Sequence, residues 1–285
     1  MGTHRYVVKF AFDGQLFAGY ARQPEGGTVE DELLGALMRA RLIDGPHEGA
    51  FASAGRVDKG VSALGAAAAF DTTADPDRVL RSLNAKTGSL TVHSIAEAPP
   101  GFDPRRRATS RWYRYHFQHP RSEVTVDLET MRQVAETFLG EHDFTAFARL
   151  EGRNPIRRVL EVAVGEMGDA PYMDVVGESF LWNQVRRMAS AVLMAGTNEC
   201  SREDIVSALE GGPGGPFPPL TAHGLFLMDV VYDGLGFHPA TGFPKGAWER
   251  RDEARHRAAA RLLFHDYLDR RLHDVQAVVP APGPD

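Results

Sequence analysis

The chain has 285 residues, 43% hydrophobic and 25% charged, with a formal net charge of −6 and one cysteine, Cys200. That length supports a sizeable core in one large or two smaller domains, the composition excludes overall disorder, and a lone thiol excludes an internal disulfide or a cysteine metal cluster. No apolar run is long enough to span a bilayer and the N-terminus carries no signal-type apolar region, so a cytoplasmic protein without a membrane partner is expected.

Arg5 to Phe12 alternates as a strand does, and Asp13-Gly14 closes it with turn chemistry. Thr28 is placed to cap a helix whose apolar positions are Val29, Leu33, Leu34, Leu37, Met38 and Leu42, with acids in its first turn. Strands are predicted around 48–54 and 65–71, the second being the small-residue run Leu64 to Phe70. Asp75-Pro76 opens a second helix to about Leu83, and strands follow at Ser89–Ile95 and Ala108–Gln118. A helix over Asp127–Leu139 stops at Gly140, and paired strands at Ile156–Met167 and Tyr172–Val176 flank Gly168-Asp169. Apolar residues at 181, 185, 188, 189, 192 and 193 predict a helix over Phe180–Ala195. A short helix capped by Ser201 follows, then a mobile Gly/Pro loop at 211–219 and a last strand at Leu225–Tyr232.

This order implies an α+β protein, two α/β halves with mixed sheets flanked by helices around a cleft. The expected domains are 1–104, 105–236 and a 237–285 extension, in which Trp248–His273 is an Arg-rich helix followed by a disordered Pro-rich tail.

A net charge of −6 argues mildly against a nucleic-acid partner, but the local distribution argues for one. Arg105, Arg106, Arg107, Arg111 and Arg114 interleave with Trp112, Tyr113 and Tyr115, and Arg157-Arg158 and Arg186-Arg187 add two basic pairs. An acidic protein can carry a basic groove, and the groove is what phosphates meet.

The stretch Ala54-Gly55-Arg56-Val57-Asp58-Lys59-Gly60-Val61-Ser62 sets one carboxylate between two cations, bracketed by glycines that permit tight backbone geometry. Cations favour the ionised carboxylate, which can act as nucleophile or base. On its own such a stretch is most often a solvated turn with weak ion pairs. Gly55 to Gly60 has phosphate-loop spacing, but Val61-Ser62 stands where that loop needs Lys and then Ser or Thr, so an NTPase is excluded. His116 and His119 have i, i+3 spacing without nearby acids or cysteines, and no metal is expected.

The loop around Asp58 resembles the catalytic motif of the tRNA pseudouridine synthase A family, usually Gly-Arg-Thr-Asp-x-Gly-Val. Phe12-Asp13-Gly14 with Gly19-Tyr20-Ala21-Arg22-Gln23 resembles the family's N-terminal signature, and Thr28-Val29-Glu30 its first helix. Arg111-Trp112-Tyr113-Arg114-Tyr115, Asp143-Phe144-Thr145-Ala146-Phe147, Phe180 to Arg186 and Gly224-Leu225 are similar to later family segments, in family order across residues 5–233.

The resemblance implies Asp58 as catalytic aspartate, Arg56 beside it, Tyr113 stacking on the uracil and Arg186 pairing with the carboxylate. It implies Arg22, Lys59, Arg105, Arg107, Arg111 and Asn183 as substrate contacts. It further implies a homodimer, no cofactor, and a tRNA partner whose anticodon stem-loop uridines become pseudouridine. Val57 replaces the usual Thr. Lys59 and Ser62 stand where many bacterial members have Ala and His, closer to archaeal or eukaryotic members, and Trp182-Asn183-Gln184 replaces a His-rich stretch.

That reaction breaks the ribose bond to N1 of uracil and rejoins it at C5, with no redox step. A carboxylate serves either by adding to the base or by stabilising a sugar intermediate, and an aromatic platform offsets part of the cost of flipping the base out. The Tyr113 hydroxyl is placed to relay the C5 proton. By residue type alone, at least one of Tyr113 and Tyr115 belongs to the core, as do Phe144 and Phe147, and Arg186 reads as a surface arginine. Two alternatives stay open: an RNA-binding homologue with impaired catalysis, motivated by Val57, and an unrelated hydrolase with Asp58 as nucleophile.

Overall fold

The computed structural model describes residues 2–117, 126–168 and 170–278. Alternation places Tyr6, Val8, Phe10 and Phe12 on one face of strand β1 (His4–Phe12), all buried. Thr28 caps helix α1 (Val29–Arg39) reciprocally: its hydroxyl accepts from the Asp31 N–H at 3.2 Å, and its own N–H donates to the Asp31 carboxylate at 3.2 Å. Val29, Leu33, Leu34 and Leu37 are buried as their spacing requires, but Met38 faces solvent and Leu42, also buried, lies beyond the helix end.

Of the strand expected at 48–54, only β2 (Ala52–Ser53) forms. Strand β3 (Ser62–Thr72) buries Ala66 through Phe70, and Asp75 caps helix α2 (Pro76–Lys86), which runs three residues past Leu83. Strands β4 (Leu90–Ala98) and β5 (Ser110–His116) complete the first part of the chain.

Helix α3 (Leu128–Ala135) tightens into a 3₁₀ turn (Glu136–Phe138), and Gly140, expected only as a stop, opens the short strand β6 (Gly140–Asp143). Strands β7 (Ile156–Met167) and β8 (Ala170–Gly177) pair antiparallel. Helix α4 (Gln184–Gly196) starts four residues later than the periodicity predicts. Asn183 takes a left-handed conformation, φ 64°, ψ 3°, which no helix continues through. Leu181 keeps the apolar rhythm because it is buried just before the helix begins.

Helix α5 (Arg202–Leu209) carries a second reciprocal cap between Ser201 and Asp204. The Gly/Pro segment that follows is anchored by Phe217, buried and stacked on Phe147 at 4.8 Å. Strands β9 (Leu225–Val231) and β10 (His238–Pro239) end this body.

The strands form a continuous mixed sheet in the order β10-β4-β1-β3-β9-β5-β8-β7-β6, with β2 on β3. The expected two sheets are therefore joined, through a parallel pairing of β3 with β9 at Ser62–Phe226 and Ala63–Leu227. The core falls into two clusters: one unites β1, β3, β4, α1 and α2, the other β5, β7, β8, α3, α4 and α5. Val57 and Tyr113 pack against both clusters.

Residues 1–241 and 242–285 are separate compact units. The second contains α6 (Lys245–Val278), far longer than the predicted 248–273 helix, with exposed Lys245–Glu249 and Glu253–Arg257 pairs one turn apart. Residues 279–285 of the expected Pro-rich tail lie outside the described residues, as do Gln118, His119 and Asp169. No described helix is long and apolar enough to cross a membrane.

Candidate active site

The Asp58 loop leaves β2 and re-enters the sheet at β3, so both of its ends are fixed. The Asp58 carbonyl accepts from the Val61 N–H at 3.1 Å, closing a turn whose Gly60 has φ +87°, a conformation that favours glycine. Gly55 needs no such freedom and its Cβ position is open space, so of the two bracketing glycines only Gly60 is demanded by the backbone. The Asp13-Gly14 turn clamps the loop from outside. The Gly14 N–H donates to Ser62 Oγ at 3.0 Å, and a Cβ on Gly14 would collide with the Val61 carbonyl.

Arg186, on the first turn of α4, donates from Nη1 to Asp58 Oδ2 at 3.0 Å. The same Nη1 donates to Asn183 Oδ1 at 2.8 Å, and Nε to the Leu220 carbonyl at 2.6 Å. The arginine is thus aimed by a residue whose left-handed backbone starts the helix and by the segment leading into β9. It is a fixed partner of Asp58 rather than a snorkelling surface side chain. Among the described residues, Asp58 Oδ1 has no hydrogen-bond partner, so one carboxylate oxygen remains available.

Both groups line a cleft of about 830 Å³, which also gathers Arg22, Arg56, Arg105, Arg111, Tyr113 and Asn183. Lys59 and Arg107, expected as substrate contacts, are exposed and stand outside this lining. Tyr113 packs edge-on against Phe180 with centroids 5.4 Å apart, while Tyr115, two residues on, is buried and donates to the Thr221 carbonyl at 3.1 Å. Burial pushes the Tyr113 hydroxyl up to about 12, with Asp58 adding to the rise and Arg111 opposing it, so Tyr113 is a neutral donor and acceptor near pH 7.

Arg111 donates to the carbonyls of Arg105 (2.7 Å), Ala108 (3.2 Å) and Glu178 (2.6 Å), and burial lowers its pKa from the ordinary arginine value. It braces the cleft wall and holds the Arg105 segment against it. Arg114 does not join the cleft. It forms a two-point ion pair with Asp174 at 2.8 and 2.7 Å and lies over the Tyr172 ring at 3.9 Å.

The cleft also contains residues that the sequence reading passed over. Arg153 and Glu151 come from a tight turn in which Glu151 and Gly152 both have positive φ, and the Glu-Gly pair was the only local signal. Trp182 stood out only as a departure from a motif. Glu30 accepts from Ser53 Oγ at 2.7 Å and from the Arg22 N–H at 3.1 Å, joining α1 to β2 and to the N-terminal loop. The lining holds six arginines (22, 56, 105, 111, 153, 186) against the carboxylates of Glu30, Asp58 and Glu151, so a chain of net charge −6 presents a locally basic cleft.

An α+β fold with a fixed arginine–aspartate pair in a basic, aromatic-walled cleft has the features of an enzyme suited to an anionic substrate with a planar group. Comparison with known proteins narrows this. A family model described as tRNA pseudouridine synthase matches residues 134–233. The chain is 37% identical over 270 residues to a tRNA pseudouridine synthase A of Thermococcus kodakarensis, covering 93% of this chain and 98% of that protein. It is 40% identical over 234 residues to one of Methanoculleus marisnigri, covering 82% and 84%. A third relative, from Methanosphaerula palustris, is 37% identical over 273 residues, covering 94% and 95%. The chain belongs to the tRNA pseudouridine synthase A family and is an isomerase. These archaeal relatives agree with the character expected from Lys59 and Ser62.

Proposed function

We propose that this enzyme converts uridine to pseudouridine in the anticodon stem-loop of tRNA, with Asp58 as the nucleophile. The observation that carries the reading is the Asp58–Arg186 pair in a cleft shared with Tyr113, with Asp58 Oδ1 unpartnered among the described residues. The guanidinium of Arg186 holds in place the carboxylate that either route to pseudouridine requires. Oδ1 is the atom that attacks the base or stabilises the sugar cation while the bond to N1 breaks. The uracil then turns and bonds through C5, and the proton lost from C5 is returned to N1, so no oxidant or leaving group is needed. Tyr113 offers the flipped uracil a ring to stack on and a neutral hydroxyl to pass that proton. The arginines of the cleft are suited to the flanking phosphates.

Substrate binding by Arg22, Arg56, Arg105 and Asn183 belongs to the same reading, with Asn183 also holding Arg186. Lys59 and Arg107 would contact RNA only beyond the cleft. Val57 packs against both apolar clusters, which supports a shape role at that position. The family resemblance supports a cytoplasmic homodimer, checked by sedimentation of the full chain. Incubation with an unmodified tRNA transcript, followed by chemical labelling and primer extension, should place pseudouridine in the anticodon stem-loop. Product confined to another arm would refute that location.

A further inference from the structure

Trp182 stands out among the aromatic residues of the cleft. It is 37% exposed, unusual for an indole on the wall of a cavity next to a buried core. Its position is fixed twice. The Trp182 carbonyl accepts from the Arg149 N–H at 2.9 Å in an isolated bridge, and the Arg149 guanidinium lies over the indole with its carbon 4.4 Å from the ring centroid. Trp182 lines the cleft and Arg149 does not, so the cation that covers the indole is not itself part of the cleft wall.

The residue is also tied to the reacting centre. Asn183 follows it directly and accepts from Arg186, which holds Asp58. Arg153 lines the same cleft. A partly exposed indole with a guanidinium over its ring and another arginine in the same cavity has the chemistry of a platform for a single-stranded nucleotide. The base stacks on the ring, the guanidinium strengthens the stack, and Arg153 meets the phosphate.

We propose that Trp182 and Arg153 form a second nucleotide subsite, which takes an unpaired base of the RNA next to the uridine held at Tyr113. This rests on the functional reading above and adds a second base to it. Two stacked bases fix the register of the strand in a cleft whose remaining contacts are charges. The subsite therefore contributes to which uridine reaches Asp58, and the bond-making chemistry is left to Asp58 and Tyr113.

The test uses the full-length protein and an unmodified tRNA transcript. Trp182→Ala should weaken transcript binding and raise KM roughly tenfold, the loss expected of one stacked base, with kcat changed much less. Trp182→Phe should recover most of that loss, which a packing defect at an indole-sized site would not allow. In a Trp112→Phe/Trp248→Phe background, where Trp182 is the remaining tryptophan, its fluorescence should be quenched as transcript is added. Arg153→Gln should lower the salt dependence of binding by about one ion, whereas Trp182→Ala should leave that slope unchanged. Wild-type binding with unaltered affinity and KM in Trp182→Ala, or no quenching of Trp182, would overturn this inference and leave the functional reading intact. Failure of the wild-type protein to bind the transcript at all would overturn both.

Discussion

Of the arginine–aspartate pairs within residues 1–241, Arg114–Asp174 and Arg186–Asp58 differ most usefully in how they engage the carboxylate. Arg114–Asp174 saturates its carboxylate: the guanidinium donates to both oxygens at 2.8 and 2.7 Å, Trp112 Nε1 donates to Oδ1 at 3.0 Å, and Tyr172 stacks on the cation. Asp174 raises the Arg114 pKa, chiefly through that hydrogen bonding. Arg186–Asp58 has the same arginine exposure, 16%, but makes a single contact of 3.0 Å in the cleft lining and leaves Oδ1 without a partner among the described residues. Of these two pairs, the one remote from the cleft engages both carboxylate oxygens, whereas the one in the cleft lining leaves Oδ1 without a partner among the described residues.

The contrast can be broken by experiment, starting with the largest effect. Arg186→Ala removes the group that holds Asp58 in place and is expected to cut pseudouridine turnover about a hundredfold. Its unfolding midpoint should move less than that of the Asp174 variant described next. A loss of stability without a loss of turnover would make this pair structural too. Asp174→Asn strands a cation with 16% exposure. Full burial would cost about 3–5 kcal/mol; with this residual exposure we expect about 2–3 kcal/mol in urea titration, with near-normal turnover by the folded fraction.

Alkaline titration reaches the aromatic residues beside the pairs. Burial raises Tyr113 and Tyr115 to about 12, and raises Tyr20 and Tyr232 as well. Unfolded tyrosines ionise near pH 10. The stability contributed by these neutral hydroxyls is therefore complete below pH 10 and is lost as pH rises from 10 to about 12. Tyrosinate absorbance should rise together with unfolding across that window, and turnover should show no break between pH 7 and 9 from Tyr113. Val57→Thr is expected to have the smallest effect. It keeps the β-branched shape but places a hydroxyl between two apolar clusters, so it should cost about 1 kcal/mol or less in thermal unfolding and change turnover less than threefold. A tenfold rise would show that position 57 limits catalysis in this chain.

Local grammar was legible in the sequence. Thr28, Asp75 and Ser201 cap helices as their residue types require, alternation located β1, a continuous small-residue run located β3, and β4, β5, β7, β8 and β9 lie where strands are expected. What depended on distant partners was not legible. The union of the two sheets rests on pairing Ser62 and Ala63 with Phe226 and Leu227, which no local pattern encodes. The α4 start was misplaced because Leu181 continues the apolar period while the Asn183 backbone breaks the helix.

The cluster of arginines at 105–114 could not be sorted by composition. Strand position sends Arg111 to the cleft and Arg114 to Asp174, and the loop geometry leaves Arg107 outside. The family-derived set of Arg56, Asp58, Tyr113 and Arg186 does meet in a single cavity. Trp182 and Arg153 join them from a helix entry and a tight turn whose residue types carry no motif.

The most direct measurement is the pseudouridine formed in an unmodified tRNA transcript by wild-type protein and by Asp58→Asn, at equal folded concentration and without added metal or nucleotide. Wild type should turn over many times, while Asp58→Asn should bind the transcript with similar affinity and leave it unmodified. Wild-type rates from Asp58→Asn, or no product from the wild type, would contradict the role of Asp58 as the nucleophile of this cleft.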